Sequence, residues 1–158
     1  AYPYANSDVL PFERRFFAGG ANSVRGWSTR SLGPGSYRKS NAKADFVNQT
    51  GDIKLEFSIE DRHKISEYIE LAAFFDAGYI WPLKSYESQQ GGQFKFADFY
   101  KEIAMAYGLG LRFDMGFLLL RLDAGAQIYD PAMESGNWVV FKPRWRRAAW
   151  HFGIGYPF

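Results

Sequence analysis

The stretch "GGANSVRGW", Gly19 to Trp27, brings one arginine out of a glycine-rich approach and follows it with Gly26 and Trp27. A guanidinium presents its N–H donors in a rigid fork and can bridge two carboxylates, which a lysine cannot do with the same geometry. Solvated loop arginines are the usual case, so the role of Arg25 depends on whether carboxylates converge on it. Glu56 and Asp76, on neighbouring stretches of alternating sequence, are the candidates. The other reactive groups lack companions. His63, in a predicted turn, and His151, in the last predicted strand, have no Ser–Asp arrangement beside them, and nothing nominates the activated serine that a membrane-embedded hydrolase needs. Glu60 and Asp61 sit together at a predicted strand end, where solvated charge is the expected reading. The glycines of "GLGLRFD" lie inside a strand pattern and open no helix, so they form no phosphate cradle. No catalytic residue, cofactor-binding residue or metal ligand emerges.

Composition narrows the class. The 158 residues contain no cysteine, which excludes disulfides, thiol nucleophiles and thiolate metal sites. A net charge of +2 gives no electrostatic reason to expect a nucleic-acid partner. Aromatic residues make up 19%, unusually many for an ordinary soluble domain, while 23% charged residues argue against a helical membrane protein. Apolar stretches such as "MGFLLL" fall well short of the ~20 residues a spanning helix needs. Ala1 is not preceded by a charged and apolar leader, so any signal peptide lies outside this sequence.

The elements that position these residues are strands. In "DIKLEFSIE", Asp52, Lys54, Glu56, Ser58 and Glu60 alternate with Ile53, Leu55, Phe57 and Ile59, giving one polar face and one wholly apolar face. "EYIELAAFFDAGYIW" repeats the period: Ile69, Leu71, Ala73, Phe75, Ala77, Tyr79 and Trp81 oppose Glu70, Ala72, Phe74, Asp76 and Gly78. "KEIAMAYGLGLRFD" and "FLLLRLDAGAQIY" place Arg112, Arg121 and Asp123 among small residues on the polar side. "AWHFGIGYPF" sets Trp150, Phe152, Ile154, Tyr156 and Phe158 against His151, Gly153 and Gly155. Tyr79, Trp81 and Trp150, at strand ends on the apolar faces, are candidates for an interfacial aromatic girdle.

Connections alternate in length: long before Thr50, short near "DRHKISE", long from Pro82 to Asp98, short at "DMG", long from Asp130 to about Arg147. Outer-membrane barrels segregate short periplasmic turns from longer extracellular loops, whereas a soluble up-and-down barrel has no reason to. Residues 12–50 show no sustained period, and a segment that long is either disordered or held in place. The predicted fold class is all-β and antiparallel.

"PFERRFFAGGANSVRGWSTRSLGPG", the "LEF" of the next strand, "FFDAGYIW" and the closing aromatic strand together resemble the C-terminal barrel portion of the BamA/TamA-like outer-membrane protein assembly superfamily, over nearly the whole chain. The resemblance implies a transmembrane β-barrel of sixteen strands in the outer membrane of a Gram-negative bacterium, preceded by periplasmic domains that receive unfolded client proteins. Residues 1–158 then form the C-terminal barrel portion, five to six strands: 12–50 a lumen-directed loop with the VRGW motif, 51–158 about five antiparallel strands, and 1–11 the finish of the strand before them. The periplasmic domains and earlier strands belong to the parent chain. Since the smallest bacterial barrels need about eight strands, this portion alone leaves sheet edges that must pair, be covered or self-associate.

In that family the long loop folds into the lumen and its arginine meets acidic wall residues. By position this implies Arg25 anchored on Glu56 and Asp76, with Gly26 permitting close backbone approach. "HFGIGYPF" is similar to the C-terminal signal of such barrels, carried here by His151, Gly153, Tyr156 and Phe158. The last strand there meets the first across a weak seam, and Gly153, Gly155 and Pro157 suit weak ladder pairing. The implied function is non-enzymatic assembly or translocation of client proteins, in contact with outer-membrane lipids and without a cofactor. Two alternatives stand beside it: a small β-barrel that binds an apolar ligand, and an outer-membrane barrel enzyme. Face polarity separates the first of these, because Glu56, Asp76, Arg112 and Arg121 line the lumen of a membrane barrel and the exterior of a ligand barrel.

Overall fold

Each of the five alternating stretches forms a strand in a computed structural model of the chain, which describes residues 10–35, 37, 49–86, 89–133, 138–139 and 148–155. Strands β1 (Ile53–Lys64), β2 (Ile69–Trp81), β3 (Ala104–Asp114), β4 (Leu119–Tyr129) and β5 (Ala149–Ile154) make one antiparallel sheet in chain order. The sheet is open, with β1 and β5 as its edges. No α-helix occurs among the described residues.

β1 runs past its expected end at Glu60. "DRHK" keeps pairing with β2, as far as Lys64 opposite Glu70, so His63 belongs to the strand and not to the turn. There it is exposed, 2.8 Å from the Asp61 carboxylate. The two short turns follow, Ile65–Tyr68 and Met115–Leu118, closed by Ile65 N–H to the Ile69 carbonyl and Met115 N–H to the Leu118 carbonyl. Gly116 has φ +79°, a conformation that favours glycine, and Asp114 accepts its N–H at 2.8 Å. The other two connections, 82–103 and 130–148, are long, so short and long alternate from end to end of the sheet.

Parity separates the two faces. Leu55, Phe57, Ile59, Tyr107, Leu109, Trp150, Phe152 and Ile154 stay exposed on one of them. The core lies on the other side, where residues 16–35 fold back across the sheet. Ala18, Val24, Trp27 and Leu32 from this segment pack with Ile80, Ala104 and Ala106. The segment has no ladder of its own. It is tied by Phe16 bridging Gly51, by Ala18 bridging Leu32, and by Gly20 N–H to the Trp27 carbonyl at 3.0 Å. At its far end Gly35 N–H reaches the Ile80 carbonyl at 3.1 Å, and Gln89 donates to the Thr50 carbonyl.

The aromatic girdle expected of Tyr79 and Trp81 is corrected by this packing. Both side chains are fully buried. The 82–103 connection turns back on the end of β2: Phe94 and Phe99 meet Trp81 edge-on, with centroids 5.6 and 6.4 Å away, and Glu102 accepts the indole N–H at 2.7 Å. Parity put the two rings on the apolar face as expected, but protein covers them there. Trp150, by contrast, is 69% exposed.

Candidate functional site

The polar face of the sheet carries a chain of alternating charges. Asp76 on β2 meets Arg25, Arg25 meets Glu60 on β1, Glu60 meets Arg112 on β3, Arg112 meets Asp123 on β4, and Asp123 meets Arg121 on the same strand. The side chains of all six are at most 1% exposed. Register makes this possible: Asp76 lies opposite Ser58 and Ala106, so small neighbours leave its carboxylate free to reach the loop. Three cations against three anions leave the buried set balanced. Removing one member strands a charge away from water.

Arg25 uses its fork fully. Nε donates to Asp76 Oδ2 and Nη2 to Asp76 Oδ1, both at 2.8 Å, a bidentate pair of the strong type. Nη1 reaches Glu60 Oε2 at 2.5 Å, and the Arg25 backbone N–H also donates to Asp76 Oδ2 at 3.0 Å. The Phe74 ring lies beneath the guanidinium, 3.5 Å from centroid to Cζ. Burial works against the Arg25 charge, but hydrogen bonds and Coulomb attraction from Asp76 and Glu60 outweigh it, and the pKa is raised.

The wall is carved to admit backbone. A Cβ at Gly26 would come within 2.6 Å of the Ala106 Cβ, and one at Gly125 would collide with the Arg25 carbonyl oxygen. Gly26 thus stands where the expectation of close approach put it, and Gly125 is its counterpart on β4. Gln127 Nε2 donates to the Gly26 carbonyl at 3.1 Å. A register shift near Met105 leaves Ile128 as the extra residue of β4 and keeps Gln127 opposite Ala106.

The far side of the tip rests on β4 and β5. Arg121 Nη2 donates to the Ala21 carbonyl at 2.9 Å and to Asn22 Oδ1 at 2.7 Å. His151 Nε2 lies 3.0 Å from the Arg25 carbonyl oxygen. Gly153 leaves room for the Arg121 guanidinium, which a Cβ there would approach to 2.8 Å.

Glu56 is the correction within the expected constellation. It does not reach Arg25: it accepts the Ser23 hydroxyl and pairs with Lys54 at 2.9 Å, a quarter exposed. Its place is taken by Glu60, two inward positions further along β1, past Ser58. Glu60 was read as solvated charge at a strand end, yet Oε1 also holds Arg62 at 2.7 Å. The signal that finds it is parity, since Glu56, Ser58 and Glu60 share one face of a strand that does not stop there. Arg112, Arg121 and Asp123 were placed on the inner wall by alternation, but their partners come from register. Asn22 has no sequence signal. Tyr156 and Phe158, and residues 36 and 38–48 of the long loop, lie outside the described residues.

Residues 1–158 match the Omp85 superfamily domain. Over 86 residues the chain is 30% identical to the outer membrane protein assembly factor BamA of Neisseria meningitidis serogroup B (strain ATCC BAA-335 / MC58). That match covers 53% of this chain and 11% of the relative's length.

Proposed function

This chain belongs to the Omp85 superfamily, a family of outer-membrane proteins of Gram-negative bacteria, and on that premise we propose that it is the closing part of a barrel that assembles or translocates client proteins without catalysing a reaction. Residues 12–50 act as its lumen loop and Arg25 as the loop's anchor. The observation that carries the reading is the bidentate seat of Arg25 on Asp76, extended to Glu60. Such a seat fixes a loop against the polar inner wall of the sheet and offers no reactive group. The two free edges of the sheet pair with further strands of the parent barrel, and the edge of β5 is where a client strand is received. The periplasmic domains of the parent deliver those clients.

A barrel built around an apolar ligand turns its apolar face inward. Here Leu55, Phe57, Leu109 and Phe152 are exposed while Arg112, Arg121 and Asp76 are buried under the loop, so that alternative is set aside. At the long-loop end of the sheet the girdle role passes from Tyr79 and Trp81 to the segment that covers them. Phe96 is 82% exposed and Tyr100 also projects, both in ring contact with Phe99, and Trp150, exposed on β5, keeps the girdle role. His151 and Gly153 contribute to a C-terminal barrel signal together with Tyr156 and Phe158.

Arg25→Ala in the full-length parent tests the anchor. Client assembly falls by more than barrel abundance does, measured by pulse-labelled client insertion normalised to the amount of parent. Unchanged insertion at equal abundance removes the anchor from the function. For the girdle, Phe96→Trp in vesicles is quenched by nitroxides placed at shallow depth. Quenching only by aqueous agents returns residue 96 to the solvent.

A further inference from the structure

The seat of Arg25 on β1 and β2 accounts for holding the loop, but the tip also touches the opposite edge of the sheet. His151 and Gly153 are successive inward positions of β5, opposite Asp123 and Arg121 on β4. The first bonds the Arg25 carbonyl oxygen directly. Above the second lies Arg121, which donates to Ala21 and Asn22 of the tip. β5 is six residues long and, in this sheet, has a ladder on one side only. A strand so short and so placed is the least protected of the five, and each contact outside its ladder counts heavily.

A carbonyl oxygen only accepts, so the His151–Arg25 bond requires a proton on Nε2. Both the neutral Nε2–H tautomer and the imidazolium meet that requirement. The bond joins residues 126 apart in sequence, and its acceptor is the backbone of the residue whose side chain is fixed to Asp76 and Glu60. A displaced tip therefore withdraws the acceptor from β5, even when the wall residues are intact.

We propose that His151 is a positioning residue that couples the place of the loop tip to the pairing of edge strand β5. Displacing the tip loosens β5, and by linkage a strand paired to the free edge of β5 shifts the tip. The partner that this coupling serves is an incoming strand at that edge. The inference deepens the reading of Arg25 as the loop's anchor and rests on it.

The test is hydrogen exchange of the β5 amides in the full-length parent in lipid nanodiscs, with the β3 amides as internal control. His151→Leu speeds β5 exchange by about tenfold, the scale of one hydrogen bond lost, and leaves β3 unchanged. His151→Gln restores protection, because its amide N–H can donate to the same carbonyl. Arg25→Ala removes the side chain and leaves the carbonyl, so faster β5 exchange there has to come from movement of the tip. Its effect does not add to that of His151→Leu. Should Arg25→Ala fail to fold, Asn22→Ala loosens the tip more gently from its exposed side. Unchanged β5 exchange in His151→Leu, Gln behaving as Leu, additive effects, or equal acceleration in β3 each overturn the coupling. Client insertion plays no part in this measurement, so coupling that survives alongside normal insertion in Arg25→Ala sinks the functional reading alone.

Discussion

The two faces of this sheet obey different rules. On the outer face Leu55, Phe57, Ile59, Leu109 and Phe152 answer one demand, to be apolar, and any similar side chain meets it. On the inner face each of these positions answers to a named partner: Asp76 to three atoms of Arg25, Glu60 to three cations, Gly125 to a carbonyl that a methyl group would displace. Lipid is a forgiving neighbour and a folded loop is not. The difference predicts that inner substitutions are felt by identity, and outer ones by polarity alone.

The largest effect belongs to Asp76→Ala. It leaves the buried guanidinium of Arg25 without its bidentate partner, a loss of about 3–5 kcal/mol for a broken buried pair. Urea unfolding of the full-length barrel reads it as a lower midpoint. A conservative outer change such as Leu109→Ile, under the same titration, leaves the midpoint nearly in place. Equal shifts would erase the contrast between the faces. Leu109→Arg is next and breaks the outer rule in its own terms, because a cation on the lipid side near the bilayer midplane costs about 2–4 kcal/mol. If that variant is as stable as Leu109→Ile, the apolar face is not in lipid.

Gly125→Ala sharpens the inner rule, since it adds one methyl group and no charge. The new Cβ meets the Arg25 carbonyl, so the tip has to lift, with an overpacking cost of about 1–3 kcal/mol. Protease cleavage within residues 20–30 should rise in this variant. The same substitution at Gly116 meets no atom nearby and tests turn strain alone.

This contrast also explains what could be read in advance. Outer-face alternation was legible strand by strand, because period 2 needs only local sequence. Arg25 and Asp76 were legible as partners because one arginine followed the glycines and alternation put Asp76 on the inner face of a neighbouring stretch. Glu60 was not, since "EDRHK" looks like a solvated charge run and the end of β1 is decided by pairing with β2, not by its own composition. Tyr79 and Trp81 show a second limit. Parity assigns a face, but Phe94 and Phe99 decide what covers it, and no local pattern announces that a connection turns back on its own strand. The glycines of β3 to β5 carry the same lesson: their positions were visible as gaps, but the guanidinium and carbonyl that fill them come from residues far away in the chain.

The smallest predicted effect is the most discriminating, because it compares two carboxylates four residues apart on one face of one strand. Glu56 pairs with Lys54 near the surface, where an ion pair contributes about 0–1 kcal/mol. Glu56→Gln keeps an acceptor for the Ser23 hydroxyl and should shift the unfolding midpoint by no more than that. Glu60→Gln keeps the shape too, but it leaves Arg25 and Arg112 sharing a neutral oxygen in a buried cluster whose charges had balanced, and its effect belongs beside that of Asp76→Ala. Matching midpoints for the two glutamines would mean that Arg25 exchanges between Glu56 and Glu60. A large gap would mean that the anchor is specific to one rung of β1, so that sliding β1 by four residues against the loop, which keeps its apolar side chains on the outer face, is forbidden by the inner face alone.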